Sequence, residues 1–349
     1  YNLCFNVEAS QRAAILNKDR DDRGAVGRSD LRDLGFSAQE GLGGTGAIVD
    51  NNLAGSAVNG NVRNPDTLDY FNRGNLDPAT GFTQPFAGAA CGNFTSHPQG
   101  DPLGGCLIDA EQVYGQIRPK QQSLNLFGRG TLQLSPNMQA FAELNLYRSE
   151  ADSALAPSGV SGSSSVPGLT VNNAVVSLGA NHPDNPSLGT RARLRYLAAD
   201  VGPRATHNDT RFVRALAGVK GSAFEWDYDM AALFSQSKTE TQRSGYLRRN
   251  VAFALLDPTA ANIAAAQASS AAYAALPPGT VWRIAENAGL NSRELYAALS
   301  PDLFADAKTK TYQLDLRASR DFGELPGGPL GVAVGLDVRH ESVQLDPVT

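Results

Sequence analysis

A glycine-rich stretch is the first candidate for cofactor chemistry. Residues 41–46 read Gly-Leu-Gly-Gly-Thr-Gly and match the G-x-G-x-x-G pattern of dinucleotide-binding loops. Such a loop binds a pyrophosphate only when a strand precedes it and a helix follows it, because the helix amides hold the phosphates. Neither element is predicted beside residues 41–46, so we interpret these glycines as loop residues and expect no nucleotide cofactor.

The candidate metal ligands and catalytic residues also lack the spacing that their chemistry requires. Residues 19–24 read Asp-Arg-Asp-Asp-Arg-Gly and are similar to a calcium loop, but Arg23 occupies a ligand position and no Glu completes the site. No G-x-S-x-G nucleophile motif is present. We predict no metal site, no cofactor and no enzymatic activity. The four histidines are scattered without a metal-binding spacing: His97, His182, His207 and His340.

Two of the three cysteines lie in a stretch rich in Gly, Pro and Asn. A disulfide between Cys91 and Cys106 would close a loop of about 15 residues and stabilise the fold by roughly 3 kcal/mol in the chain-entropy model. It would imply an oxidising compartment such as the periplasm or the cell surface. The alternative is two free thiols at a chance spacing. We predict the disulfide, which leaves Cys4 alone.

Composition limits the classes of protein that fit. The formal net charge is -5 with both signs interspersed, so no basic patch for nucleic acid is expected. The abundance of Gly, at 35 residues, favours strands and long loops over a dense helical core. No apolar run approaches the roughly 18 to 20 residues of a membrane-spanning helix. No signal peptide opens the chain at Tyr1, and we expect the natural polypeptide to begin upstream.

Strict alternation of apolar and polar residues is the strongest structural signal. From Phe224 to Met230, every second residue is large and apolar and every residue between is acidic. Residues 1–10, 312–319 and 330–339 alternate in the same way. A period of two residues is the period of a β-strand, so we predict an all-β chain with about seven strands.

The connections between these strands differ greatly in length. Three are short turns, and they are separated by connections far longer than the usual median of about 4 to 6 residues. Helices are predicted inside the last long connection, at residues 260–276 and 292–299. In the first predicted hairpin, strand 124–134 pairs with strand 138–147. In the second, strand 211–219 is followed by a turn at 220–223 and a strand that begins at Phe224; in the third, strand 311–322 pairs with a strand that begins at Leu330. The long connections are residues 13–123, 149–210 and 238–310.

Short turns at one end and long loops at the other are typical of antiparallel transmembrane β-barrels, with the short turns on the periplasmic side and the long loops outside the cell. Strands in hydrocarbon must pair every backbone N–H and C=O within the protein, which a closed sheet allows. We therefore expect the apolar side chains to face lipid. The intervening Glu225, Asp227 and Asp229 would line a polar interior. Seven strands are too few for a closed barrel of this kind, so the chain is expected to be a segment of one.

Several stretches carry a resemblance to a known family: residues 106–109, 117–119, 124–129, 135–143, 202–204 and 217–221, the strand that contains Trp226, and residues 298–301, 325–330 and 333–341. In this order they resemble the barrel domain of TonB-dependent receptors, in which Glu is more usual at the position of Asp337. The resemblance implies a barrel of 22 strands in the Gram-negative outer membrane, with residues 1–349 forming part of its wall. The plug domain, the TonB box and the C-terminal strands would lie outside this sequence. It further implies uptake of a scarce, bulky nutrient, such as a siderophore-iron complex, vitamin, glycan or peptide, driven by the TonB complex.

The resemblance also implies that the substrate contacts aromatic and charged residues of the extracellular loops and upper lumen. Arg243, Arg248 and Arg249 would favour an anionic ligand such as a siderophore complex. The alternative for each residue is an ordinary anchoring role within its loop. The candidates are Tyr114, Arg193, Arg195, Tyr196, Tyr246, Arg248, Arg249 and Trp282.

Two other kinds of protein share parts of this pattern. A passive porin or a surface adhesin would have the same alternation and loop asymmetry without an upstream plug. A secreted, soluble β-protein would bury the apolar face in a sandwich core. Detergent fractionation separates the soluble protein from the barrels, and the N-terminal sequence separates the barrels from one another.

Overall fold

Seven long strands form one antiparallel sheet, and strands adjacent in the chain are adjacent in the sheet. The computed structural model describes residues 1–20, 61–63, 70–76, 83–85, 113–160, 177–185, 189 and 191–346. The protein is mostly antiparallel β-sheet, as the alternation predicted. The strands are β1 (Asn2–Arg12), β2 (Lys120–Ser135), β3 (Met138–Pro157), β4 (Pro203–Ala223), β5 (Trp226–Ser244), β6 (Leu303–Leu325) and β7 (Gly328–Asp346).

Shorter elements occupy the long connections. The helices are α1 (Arg249–Leu256), α2 (Ala260–Ser269), α3 (Ala271–Ala274) and α4 (Arg293–Leu299), with 3-10 turns at Asn17–Asp19 and Ala285–Leu290. None of the helices that the structure describes is long and apolar enough to cross a membrane. A second sheet contains the short strands Ser177–Leu178, Ala192–Leu197, Asn61–Arg63, Tyr70–Leu76 and Thr83–Pro85, and the strand Gly159–Val160 also pairs with Ala192–Leu197. A separate two-stranded sheet joins Ile15–Leu16 to Gln116–Arg118.

The three hairpin turns are shorter than predicted. β4 continues to Ala223, which pairs with Trp226, so the predicted turn at residues 220–223 is wrong. The turn consists of Phe224 and Glu225, at φ 53° and 66°. Two central residues at positive φ match the twist of the flanking strands, although this conformation favours Gly or Asn. The absence of those residues hid the turn and made Phe224 look like the start of a strand.

The strands also extend further into the long connections than predicted. β3 ends at Pro157 and β4 begins at Pro203, which leaves residues 158–202 between them. β5 ends at Ser244 and β6 begins at Leu303, which leaves residues 245–302. The extensions carry charged residues on both strands of a pair, so they lack apolar alternation. They are joined by backbone pairing and by ion pairs such as Arg148 with Asp209.

The register of the sheet collects the apolar residues on one face. Residues directly opposite each other on neighbouring strands share a face. One such row runs from Leu3 through Gly130, Ala142, Ala217, Ala232 and Leu314 to Val338, across all seven strands. We call this surface the apolar band. Its further members include Phe5, Val7, Leu126, Gly128, Leu132, Ala140, Leu144, Leu146, Val213, Ala215, Val219, Met230, Phe234, Leu316, Ala318, Val334 and Leu336.

The apolar band is not covered by any residue that the structure describes. Phe5 is 78% exposed, Leu314 51% and Leu336 55%. The opposite face is polar. There, Glu143 accepts a hydrogen bond from Arg214 Nη1 at 3.0 Å, and its carboxylate lies 3.5 Å from Arg129 Nη1. An exposed apolar surface of this extent marks an interface with lipid or protein.

Candidate functional site

The connections after β3 and after β5 fold together into one unit. We call the described residues of 177–202 and 245–302 the loop module. Leu178, Leu194 and Tyr196 of the first connection share a buried core with Leu255 and other residues of the second. The core residues from the second connection are Val251, Ala252, Ala254, Leu255, Leu256, Ala266, Trp282, Ile284, Leu295, Ala298 and Leu299.

Local sequence accounts for two of the module's helices. Thr259 caps α2 by accepting a hydrogen bond from Asn262 N at 3.2 Å, and Ser292 caps α4 by accepting one from Leu295 N at 3.1 Å. The helix predicted at 292–299 is confirmed. The one predicted at 260–276 is confirmed in part, because it stops at Ser269 and restarts at Ala271. α1 was missed, since its first residues are polar and no side chain caps it.

A buried carboxylate joins the two connections. The Asp184 side chain is fully buried and accepts hydrogen bonds from Arg283 Nη2 at 2.7 Å and Arg283 Nε at 3.0 Å. It also accepts from Ile284 N at 2.8 Å and from Asn287 Nδ2 at 3.0 Å. A buried charge is tolerated when it is paired and its lone pairs are satisfied, so Asp184 fixes residues about a hundred positions away.

His182 has a structural role beside this carboxylate. Its Nδ1 accepts a hydrogen bond from Asp184 N at 3.0 Å, which leaves Nε2 to donate to the Trp282 carbonyl oxygen at 3.1 Å. Both ring nitrogens serve the fold in the neutral imidazole. Across the part of the chain that the structure describes, no three His, Cys, Asp or Glu side chains are grouped so that they could hold a metal ion.

A second carboxylate, Asp200, collects three neutral donors. It accepts from Tyr196 OH at 2.7 Å, Trp282 Nε1 at 2.9 Å and Tyr296 OH at 2.9 Å. The Tyr196 and Trp282 rings meet edge to face, with centroids 5.6 Å apart. These contacts tie the strand Ala192–Leu197 to the second connection.

The alkaline stability of the module is expected to depend on Tyr296. Burial, with a smaller contribution from Asp200, raises its pKa from 10.0 to about 12. The stabilisation is therefore fully present below pH 10 and is lost as the pH rises towards 12. We expect Trp282 fluorescence, recorded in a Trp226→Phe background, to report opening over this range. Tyr296→Phe should reduce that pH dependence; identical alkaline profiles would contradict the assignment.

Of the predicted substrate-binding residues, the structure brings Tyr196 and Trp282 together in the core. They are 1% and 0% exposed, so they anchor the module and offer no side-chain surface to a solute. Arg193 and Arg195 lie on the same strand as Tyr196, Ala192–Leu197, where their backbones pair with Arg63 and Asn61.

The remaining candidates are spread around the module. Tyr114 packs against Leu197, and burial raises its pKa. Arg248 donates to Ser270 Oγ at 2.9 Å. The Arg249 guanidinium lies 5.0 Å from the centre of the Phe253 ring. The centre of the Tyr246 ring lies 6.0 Å from the Arg204 guanidinium. The predicted disulfide between Cys91 and Cys106 falls outside the described residues.

Asp184, Asp200, Arg283 and Tyr296 were not anticipated from the sequence. Asp184, Asp200 and Arg283 each stand alone in a loop, Tyr296 lies in α4, and no motif marks any of them. Their partners are distant in the chain, so only the fold reveals the network.

Comparison with protein-family models, with curated proteins and with solved structures finds no match for this chain.

Proposed function

We propose that this chain forms part of the wall of an outer-membrane β-barrel, in a TonB-dependent receptor that takes up a scarce, bulky nutrient. The observation that carries the proposal is the apolar band, an uncovered surface seven strands wide. Lipid is the partner that such a surface fits. A soluble sandwich would instead cover it with a second sheet.

The height of the apolar band supports a membrane position. From Val213 to Ala223, β4 runs about 33 Å at about 3.3 Å per residue. A tilt of about 45° reduces this to about 23 Å, close to the ~25 Å apolar zone of outer-membrane barrels. Aromatic residues lie at the turn end of the band, where the Trp226 and Phe322 rings meet edge to face at 5.8 Å. In membrane proteins, Trp and Tyr are enriched at the membrane–water interface, which is where the turn end of the band would lie.

The polar face and the sheet edges fit a barrel wall as well. Arg129, Glu143 and Arg214 would face a wet or plug-filled lumen. Among the described residues, β1 and β7 each have one neighbour in the sheet. Unpaired backbone groups are costly in hydrocarbon, and further strands of a closed barrel would pair them.

The loop module would then lie outside the cell, above the lumen, because it connects the strands at the end opposite the short turns. There it would control access for the substrate: a siderophore-iron complex, vitamin, glycan or peptide. The inner-membrane TonB complex would act through the plug, and no cofactor is required. Arg248 and Arg249 remain the candidates for an anionic substrate.

Fractionation of the intact protein tests the membrane assignment. We expect it to resist extraction from membranes by carbonate and to show a heat-modifiable mobility in gel electrophoresis. Recovery in the aqueous fraction would refute a barrel.

Growth on a panel of ferric siderophores, vitamins, glycans and peptides, in cells with and without the TonB complex, tests transport. Uptake that does not need the TonB complex would indicate a passive porin.

A further inference from the structure

Charged residues form two ordered rows beyond the loop end of the apolar band. The nearer row is basic, with Arg148, Arg211, Lys238 and Lys308 directly opposite one another on β3 to β6. The next row is acidic, with Glu150, Asp209, Glu240 and Asp306 in register. Both rows share the face of the band. The basic row therefore lies at the depth where lipid headgroups would begin.

Asp209 fixes the two arginines of the basic row. The residue is 9% exposed and accepts from Arg148 Nη2 at 3.0 Å and Arg211 Nη2 at 2.8 Å. Glu150 also pairs with Arg148, at 2.7 Å, and Glu240 lies 3.7 Å from Arg211. The arginine side chains remain 55% and 56% exposed. Two guanidinium groups are thus held side by side with surface left for another anion.

An apolar groove leads up to this pair. It has a volume of about 470 Å³, and its floor contains Gly128, Gly130 and Ala142 between walls that include Phe5 and Leu144. The groove exists because Gly128 and Gly130 have no side chains to fill it, and the Phe5 ring lies over Gly128. A second groove of about 380 Å³, lined by Ala9, Leu124 and Arg148, lies on the same face. Its residues are two positions further along each strand, so the two grooves lie end to end.

We propose that this face binds an anionic lipid, with a phosphate at Arg148 and Arg211 and an acyl chain in the groove. The inference rests on the proposed membrane position. Guanidinium groups bind phosphate through paired N–H donors. At Arg148, the lipid phosphate would replace the Glu150 carboxylate as a partner of the guanidinium group. Lys238 and Lys308 extend the positive row. Asp209 acts beneath the arginines as a positioning residue.

Binding of phosphatidylglycerol and phosphatidylcholine to the intact protein in detergent, measured by native mass spectrometry, tests the site. The test variant combines Arg148→Gln, Asp209→Asn and Arg211→Gln, so that no buried carboxylate is left unpaired. We expect wild type to retain phosphatidylglycerol preferentially and the variant to lose roughly tenfold in affinity for it. The matched control changes Asp315→Asn, Arg317→Gln and Arg339→Gln on the polar face and should bind as wild type does.

A second variant tests the groove without changing charge. Ala142→Phe fills its floor on the lipid-facing side, so bound lipid should be lost while the protein still assembles. Equal binding of both lipids by wild type, or equal losses in the test and control variants, would overturn the lipid site while leaving the barrel intact. Wild type that stays in aqueous buffer without detergent would instead overturn the proposed function.

Discussion

Leu314→Arg is expected to prevent most of the intact protein from assembling in the outer membrane. Leu314 lies in the central row of the apolar band, between Ala232 and Val338, and is 51% exposed. A cationic side chain at the middle of the bilayer costs about 2 to 4 kcal/mol. The folded fraction can be measured by heat-modifiable gel mobility after refolding into vesicles, and by the amount recovered in the outer membrane.

The adjacent residue provides the matched control. Gln313 lies on the polar face and donates a hydrogen bond to Asp337. Gln313→Arg places the same charge beside that carboxylate and should leave assembly near the wild-type level. If both variants assemble equally well, or if Gln313→Arg is the worse of the two, the faces of the sheet have been assigned to the wrong solvents.

Trp282→Ala is expected to open the loop module while the strands persist. Trp282 is 0% exposed, and removing a fully buried Trp costs about 3 to 5 kcal/mol because a cavity replaces its contacts. The change also removes the edge contact with Tyr196 and one of the three donors to Asp200. Hydrogen exchange should rise across residues 245–302 and stay low in β6 and β7.

An exposed residue of the same module serves as the control for this prediction. Leu290 is 67% exposed, so Leu290→Ala should leave the exchange rates close to those of wild type. Unchanged protection of residues 245–302 in Trp282→Ala would show that the two connections do not depend on a common core. Loss of protection in β6 as well would show that the module and the sheet unfold together.

The sheet was predictable because its signal is local. Alternation assigns each side chain to a face, and the register confirms that Leu314, Val338 and their neighbours share one face. Strand ends were not predictable from alternation, because Arg148 and Asp209 continue their strands as charged cross-strand partners. The Phe224–Glu225 turn was missed because neither residue carries the usual signal for positive φ.

The loop module could not be derived from composition. His182 and Trp282 are 100 positions apart, as are Asp184 and Ile284, and no periodicity connects residues at that separation. The sequence identified Tyr196 and Trp282 as notable aromatic residues but could not decide between a binding surface and a core. The structure places both side chains in the core of the loop module, where an aromatic residue packed from all sides contributes to stability.

The shared core has a mechanical consequence. Turning either connection by itself would break the ion pair between Asp184 and Arg283 and separate the Tyr196 and Trp282 rings, so the two connections must move as one unit. That unit is attached at the ends of four consecutive strands, β3 to β6. Gly202 and Gly245, both at positive φ, adjoin the β4 and β5 attachments. A tilt of the unit would therefore displace the ends of these four strands together.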